Sequence, residues 1–307
     1  MATWGIPYQG TKSRLAPWII DHLPAGPVLV DVFAGGCAVT HCALVSGKWD
    51  RVVANDVGDA PRVFADAARG EYDGWAPALT RGEFNASTDT AERLCFSYAN
   101  GGATYAYGAH WEAAKTAAGR MICAPSIHER RAAYRTFLRE LQTFIEAEGA
   151  GALARGSSSG LQGLEALQAV DRVQGLAALG DTGALDRLQV TRGDYRTLAI
   201  PAGAVLYADP PYRGTTDKRD YNGAGARGSF DAGEFDSWLD ALPCPCVVSE
   251  REAPAGCVCV AEVDHIQGIQ GGGRAVTERL YVQSRFESDY RAAVAEAAEV
   301  EQMTLDA

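Results

Sequence analysis

Four runs of this chain read as strands that each end at or beside an aspartate, and that pattern constrains the fold more than any other feature. They are residues 27–32 (Pro-Val-Leu-Val-Asp-Val), 51–56 (Arg-Val-Val-Ala-Asn-Asp), 188–194 (Leu-Gln-Val-Thr-Arg-Gly-Asp) and 204–209 (Ala-Val-Leu-Tyr-Ala-Asp). Short, largely apolar runs bounded by turn residues are the mark of strands in a sheet core. The first leads through Phe33-Ala-Gly-Gly-Cys-Ala into a helical pattern, so strand, glycine turn and helix follow in order. One aspartate after a strand is commonly a helix N-cap. Four of them (Asp31, Asp56, Asp194 and Asp209) point instead to a site at the carboxyl edge of an α/β sheet, where ligands of such sheets bind.

The most specific stretch is Asp209-Pro210-Pro211-Tyr212. Proline cannot donate to a sheet ladder and holds the preceding residue out of the helical region, so the strand stops at a rigid loop. That loop presents a carboxylate, the Pro210 carbonyl and an aromatic face. Two acceptors beside an aromatic plate suit a flat ring carrying an exocyclic amine, and adenine is such a ring. The turn at Gly35 and Gly36, before a helix N-terminus, suits a nucleotide. Asp56 lies about 20 residues further on, the spacing of a carboxylate that reaches ribose hydroxyls.

At 307 residues the chain has room for one large domain or a core with an insertion. No apolar stretch approaches the roughly 20 residues of a membrane span, and the first residues lack the pattern of a signal peptide, which predicts a cytoplasmic protein. The formal charge of −11 argues against a general nucleic-acid coat. Bases nevertheless gather at Arg120, Arg130, Arg131, Arg135 and Arg139 and again at Arg213, Lys218, Arg219 and Arg227, while residues 289–307 form an acidic tail. A basic cleft on an acidic body is compatible with this charge. Eight cysteines in a chain this long are not a disulfide framework. Cys244, Cys246, Cys257 and Cys259 pair as Cys-x-Cys in strand-like runs, a spacing that suits core packing better than zinc. No metal is expected.

Further strands are expected at residues 246–249, 257–262 and 279–283. Residues 57–188 carry no core-strand pattern and read as an insert, with an amphipathic helix at 125–148 and an aromatic, glycine-rich loop at 96–107. Asn100, Tyr105 and Tyr107 of that loop either line a channel or form a hairpin tip. Leu161, Leu164, Leu167, Val170, Val173, Leu176 and Leu179 recur every third residue. An α-helix turns 100° per residue, so such a row leaves one face within a few steps. Glycines at 163, 175, 180 and 183 also oppose a long helix, leaving short broken helices or a coil of three-residue turns. The tail is either disordered or a helix docked on the core.

Taken together these residues resemble the Dam-like DNA adenine N6-methyltransferases, bacterial and phage-borne. Pro7-Tyr8-Gln9-Gly10-Thr11-Lys12 looks like the family's N-terminal motif, Asp31-Val-Phe33-Ala-Gly35-Gly36 is similar to its Phe-x-Gly turn, Asp209-Pro-Pro-Tyr212 to its catalytic loop, and Thr277-Glu-Arg-Leu-Tyr281 to a late strand. Cys37 departs from the pattern, standing where a third glycine is common. The resemblance implies a doubly wound, Rossmann-like α/β methyltransferase sheet, residues 1–56 plus 189–288, interrupted by a mainly helical target-recognition domain, residues 57–188.

It also implies S-adenosylmethionine as cofactor and S-adenosylhomocysteine as product. Tyr8, Gly10, Lys12, Asp31, Phe33, Gly35, Gly36, Asp56 and Asp194 would hold the cofactor, with Lys12 on its carboxylate and Asp194 at its adenine edge. Asp209, Pro210, Pro211 and Tyr212 would be catalytic on a flipped-out adenine of double-stranded DNA. Arg130, Arg131 and Arg135 either read DNA, since arginine is a chief reader of base edges, or form a solvated helix face, and Arg213 and Lys218 are candidates for phosphate. A restriction partner is compatible with the family. RNA adenine methylation, and a non-catalytic protein binding DNA or S-adenosylmethionine on the same fold, are the alternatives.

Overall fold

The computed structural model describes residues 3–149, 164–213, 230–267 and 274–305. Its centre is a seven-stranded sheet: β1 (Gly26–Asp31), β2 (Trp49–Asp56), β3 (Leu188–Arg192), β4 (Ala204–Ala208), β5 (Cys246–Glu250), β6 (Cys257–Gln267) and β7 (Arg274–Gln283). The spatial order is β3-β2-β1-β4-β5-β7-β6. β1 to β5 pair in parallel, and β7 runs antiparallel to both its neighbours. The order reverses between β1 and β4, where Asp31 lies beside Tyr207 in register. This is the expected doubly wound α/β sheet.

Residues alternate between the two faces of each strand, and two apolar clusters follow. Val28, Val30, Leu206, Ala208, Cys246, Val248 and Tyr281 face one side, against Phe235 and Leu239 of the helix Ala232–Ala241. Leu29, Tyr207, Val247, Leu280 and Val282 face the other. On that second side lie α1 (Ala16–Asp21), α2 (Ala38–Ser46) and α3 (Ala60–Ala68).

The inserted segment is helical: α4 (Arg81–Ala86), α5 (Thr90–Cys95), α6 (Glu112–Cys123), α7 (Ile127–Glu148), α8 (Glu165–Gln174) and α9 (Ala177–Gly180). α7 starts at Ser126, whose hydroxyl accepts the Glu129 N–H, so its N-cap lies one residue after Pro125. The three-residue period resolves into short helices. Gly175 ends α8, and Gly183, at φ 71°, precedes a 3₁₀ turn at Ala184–Arg187. Leu161 and Gly163 lie outside the described residues. Tyr105 and Tyr107 are buried, and the Tyr105 hydroxyl donates to the Leu79 carbonyl, so these rings belong to packing. One apolar core runs across residue 57, since Phe64 of α3 and Val170 and Val173 of α8 share the cluster of Leu29 and Val52. The helix Ala232–Ala241, between β4 and β5, is α10, and Glu287–Leu305, after β7, is α11. α11 docks through buried Tyr290, whose hydroxyl donates to the His22 carbonyl.

Candidate active site

The N-terminal segment wraps the glycine turn after β1. The Ile6 N–H donates to the Gly36 carbonyl at 2.8 Å. A Cβ on Gly36 would lie 2.5 Å from Tyr8 Cβ and 3.0 Å from the Ile6 carbonyl oxygen, and one on Gly35 would lie 2.9 Å from the Tyr8 ring. Only glycine allows this approach. Gly35 also takes φ 46°, and Cys37 takes φ 58° although it carries a side chain. Left-handed backbone costs an ordinary residue roughly 1–2 kcal/mol, so Cys37 is strained where the family pattern has glycine.

Two carboxylates stand at this turn. Asp56, at the end of β2, accepts the Gly35 N–H on one oxygen (2.9 Å) and the Gly58 N–H on the other (2.7 Å). It accepts from the Val57 backbone as well, and so fixes the turn. Asp31 accepts the Thr40 hydroxyl on Oδ2 at 2.7 Å, while its Oδ1 is buried without a donor. Burial, opposed by the Thr40 hydroxyl and aided by Asp209 and Asp56, pushes the Asp31 carboxyl up to about 7.

Across the crevice β4 delivers Asp209. Lys12 Nζ donates to Asp209 Oδ1 at 2.8 Å and to the Tyr212 hydroxyl at 2.5 Å, and it lies 4.7 Å from the centre of the Tyr212 ring. The Tyr212 hydroxyl donates to Glu278 Oε1 at 2.6 Å, and Lys12 Nζ is 3.5 Å from that oxygen. Burial raises the Asp209 carboxyl to about 6, Lys12 pulling it down and Glu278 pushing it further up. Burial lowers the Lys12 ammonium, but Asp209 and Glu278 outweigh it and hold it above its ordinary value. Asp209 keeps 19% of its side-chain surface open, so a substrate group can reach it.

The structure thus brings Tyr8, Lys12, Asp31, Gly35, Gly36, Asp56, Asp209 and Tyr212 to one edge of the sheet. Phe33 stands beside Tyr195, Phe230 and Phe235 at the mouth of the same turn. Gly10, at φ 79°, lies in the exposed part of the N-terminal loop. Asp194 is partly exposed and caps a 3₁₀ turn at Tyr195–Thr197, its carboxylate paired with Arg196. Arg213, expected at phosphate, is held in a two-point ion pair by Asp236. Lys218 lies outside the described residues. Arg130, Arg131 and Arg135 are exposed on α7, beside exposed Tyr134.

Glu278 is the member of this cluster that sequence reasoning did not single out. The signal was its parity: it shares a strand face with Leu280 and Val282, so an acid stands where the core face requires an apolar residue.

Among the described residues no group of three or more His, Cys, Asp and Glu could hold a metal ion, and no helix is long and apolar enough to cross a membrane. Cys246 packs in the core cluster and Cys259 is exposed.

Comparison with known proteins agrees with the motifs. Residues 8–76 match the model of the D12 class N6 adenine-specific DNA methyltransferases. This stretch holds the N-terminal motif from Tyr8 onward, the glycine turn and Asp56. No curated protein matches the chain. Solved structures similar to it include an rRNA methyltransferase, aviRa, from Streptomyces viridochromogenes (18% identity, 92% of this chain and 86% of that one, TM-score 0.36). A putative methylase from Haemophilus influenzae is also similar (10% identity, 91% of each chain, TM-score 0.29). The family match supports a methyltransferase.

Proposed function

We propose that this methyltransferase moves a methyl group from S-adenosylmethionine to the exocyclic amine of adenine in double-stranded DNA. The observation that carries this reading is the set Asp209, Pro210 and Tyr212 at the end of β4, facing the glycine turn across the point where the strand order reverses.

The residues at the turn suit the cofactor. Asp31 Oδ1 is a buried acceptor without a donor, which fits the ammonium of a methionine moiety. Asp56, at the end of β2 beside the glycine turn, is the carboxylate we assign to the ribose hydroxyls. Gly35 and Gly36 clear the approach, with Tyr8, Gly10 and Phe33 around them, and Asp194 stands further along the edge. When bound, S-adenosylmethionine supplies a methyl already activated on a sulfonium and departs as S-adenosylhomocysteine.

The chain must then make a poor nucleophile attack. The adenine amine donates its lone pair into the ring. Asp209 and the Pro210 carbonyl each accept a hydrogen bond from N6 and draw the nitrogen towards a tetrahedral form, so that its lone pair is freed for the methyl carbon. Positive charge builds on nitrogen as the carbon–nitrogen bond forms, and acceptors already in place stabilise it. A carboxyl near 6 is ionised at neutral pH yet basic enough to take the departing N6 proton. Inside a duplex this amine is out of reach, so the base is flipped out. Stacking on Tyr212 contributes about 1–3 kcal/mol. The exposed arginines of α7 are the residues we assign to DNA, since arginine is the commonest reader of base edges in the major groove.

The test is transfer of labelled methyl from S-adenosylmethionine to matched DNA duplexes and RNA lacking methyladenine, presented in competition. Label recovered as N6-methyladenine in DNA supports the proposal. Label in RNA alone would move the substrate to RNA, and cofactor binding without transfer to either would make the chain a binding protein.

A further inference from the structure

Lys12 stands where the substrate amine has to go. Its ammonium donates to Asp209 Oδ1 at 2.8 Å and lies against the Tyr212 ring, 4.7 Å from the ring centre. Both the acceptor and the aromatic ring needed by a flipped adenine are therefore engaged by Lys12, and Arg251 also lies over that ring, 5.2 Å from its centre. The cluster holds a second carboxylate within reach. Glu278 projects from β7 with 4% of its side chain exposed, accepts the Tyr212 hydroxyl at 2.6 Å, and lies 3.5 Å from Lys12 Nζ. A buried ammonium cannot leave one carboxylate without a second partner except at a large desolvation cost.

We infer that Glu278 is a positioning residue: it is the alternative berth that draws Lys12 off Asp209 when the substrate amine arrives, while it keeps the Tyr212 hydroxyl anchored. This rests on the adenine reading of the site given above. Lys12, Asp209 and Glu278 carry one positive and two negative charges. With Lys12 on Asp209, the catalytic acceptor is neutralised. With Lys12 on Glu278 that pair is neutral, and Asp209 meets the amine with its whole charge as positive charge develops on nitrogen. No covalent step is added. One ammonium exchanges hydrogen-bond partners, and the amine of the base takes the place it leaves.

Glu278→Gln tests this, because the amide oxygen still accepts the Tyr212 hydroxyl but offers Lys12 no charge. At saturating cofactor, turnover is expected to fall at least tenfold with cofactor affinity unchanged. Adding Lys12→Met to Glu278→Gln is expected to recover part of that turnover, since no ammonium then blocks Asp209. A residue with only a structural role gives no such rescue. Turnover of Glu278→Gln equal to the unmodified protein, or a double variant slower than the single one, would overturn the inference.

A second readout needs no substrate: the Asp209 carboxyl titration followed by carbon-13 NMR. The groups that act on Asp209 are Lys12, Tyr212, Glu278, Tyr207, Asp31 and Glu250. Removing the Glu278 charge lowers the Asp209 midpoint, because Glu278 now pushes it up and Lys12 is left with Asp209 as its anion. An unmoved midpoint overturns the inference whether or not the protein methylates anything. A lowered midpoint in a protein that transfers no methyl to adenine supports the coupling of the three groups and counts against the proposed reaction.

Discussion

In the proposed reaction Asp209 has to be ionised to take the proton that leaves N6, and burial pushes its carboxyl up to about 6. Turnover should therefore fall as pH drops through 6, tenfold per unit below it, and level out above; a rate profile that stays flat down to pH 5 contradicts the role given to Asp209. Asp209→Asn keeps an acceptor oxygen and loses the charge, with an expected loss of about 10²–10³ in turnover and little change in cofactor affinity measured by calorimetry. Asp31 is the second titrating group with consequences. Its folded value, about 7, lies above the ordinary 3.8, so between these values the folded protein holds more protons than the unfolded chain. Stability then falls as pH rises through that window. Asp209 adds to the decline over the lower part of it. Asp31→Asn should flatten the fall in melting temperature of the cofactor-free protein between pH 4 and 7 and weaken binding of S-adenosylmethionine. At this scale the Asp-Pro-Pro-Tyr loop was legible because proline stops strands for a local reason. Glu278 was not singled out, since an acid in an antiparallel strand commonly faces water. Only the parity it shares with Leu280 and Val282 sets it apart.

The parallel strands were legible as elements because burial on both faces demands continuous apolar runs. β6 and β7 extend further than their apolar residues, to Gln267 and from Arg274, because an antiparallel ladder is held by backbone pairing and tolerates Asp264, His265 and Thr277. What the sequence could not assign was the layer each helix joins. α3 is amphipathic wherever it packs, and the structure sets it on the core with α8, across the boundary expected at residue 57. The glycine turn makes a direct prediction. Gly36→Ala drives a methyl into Tyr8 and the Ile6 carbonyl, so it should cost about 1–3 kcal/mol by denaturant titration, the usual range for overpacking, and release the N-terminal motif from the turn. For α7, Arg130→Ala with Arg131→Ala should weaken DNA binding and leave cofactor affinity alone. If both contact phosphate, the slope of log affinity against log salt drops by about 2; unchanged affinity would move recognition elsewhere in the insert.

Over the whole molecule, the segment between β2 and β3 holds the N-terminal loop through the Asn100 carbonyl, which accepts the Gln9 N–H at 3.3 Å, and through Arg172. Arg172 of α8 donates to the Gly5 carbonyl at 3.0 Å, to the Trp4 carbonyl, and weakly to Ser13 Oγ at 3.4 Å. It therefore holds the segment that carries Tyr8 and Lys12. His41, whose ring accepts the Gly5 N–H, is pushed down to about 4 by burial and by Arg172, and so stays neutral beside this cation. Arg172→Ala should lower stability by about 1.5–3 kcal/mol, the range for a hydrogen-bonded charged group, and weaken cofactor binding without touching the edge itself. The net charge of −11 argues against a general nucleic-acid coat, and α7 itself carries four glutamates beside its four arginines. The most direct test of the account compares the intact protein with Asp209→Ala on one unmethylated duplex, with the nucleosides resolved by mass spectrometry. The account predicts N6-methyladenine with the intact protein and none with the variant, at equal cofactor occupancy. N6-methyladenine formed at the same rate by Asp209→Ala would contradict it.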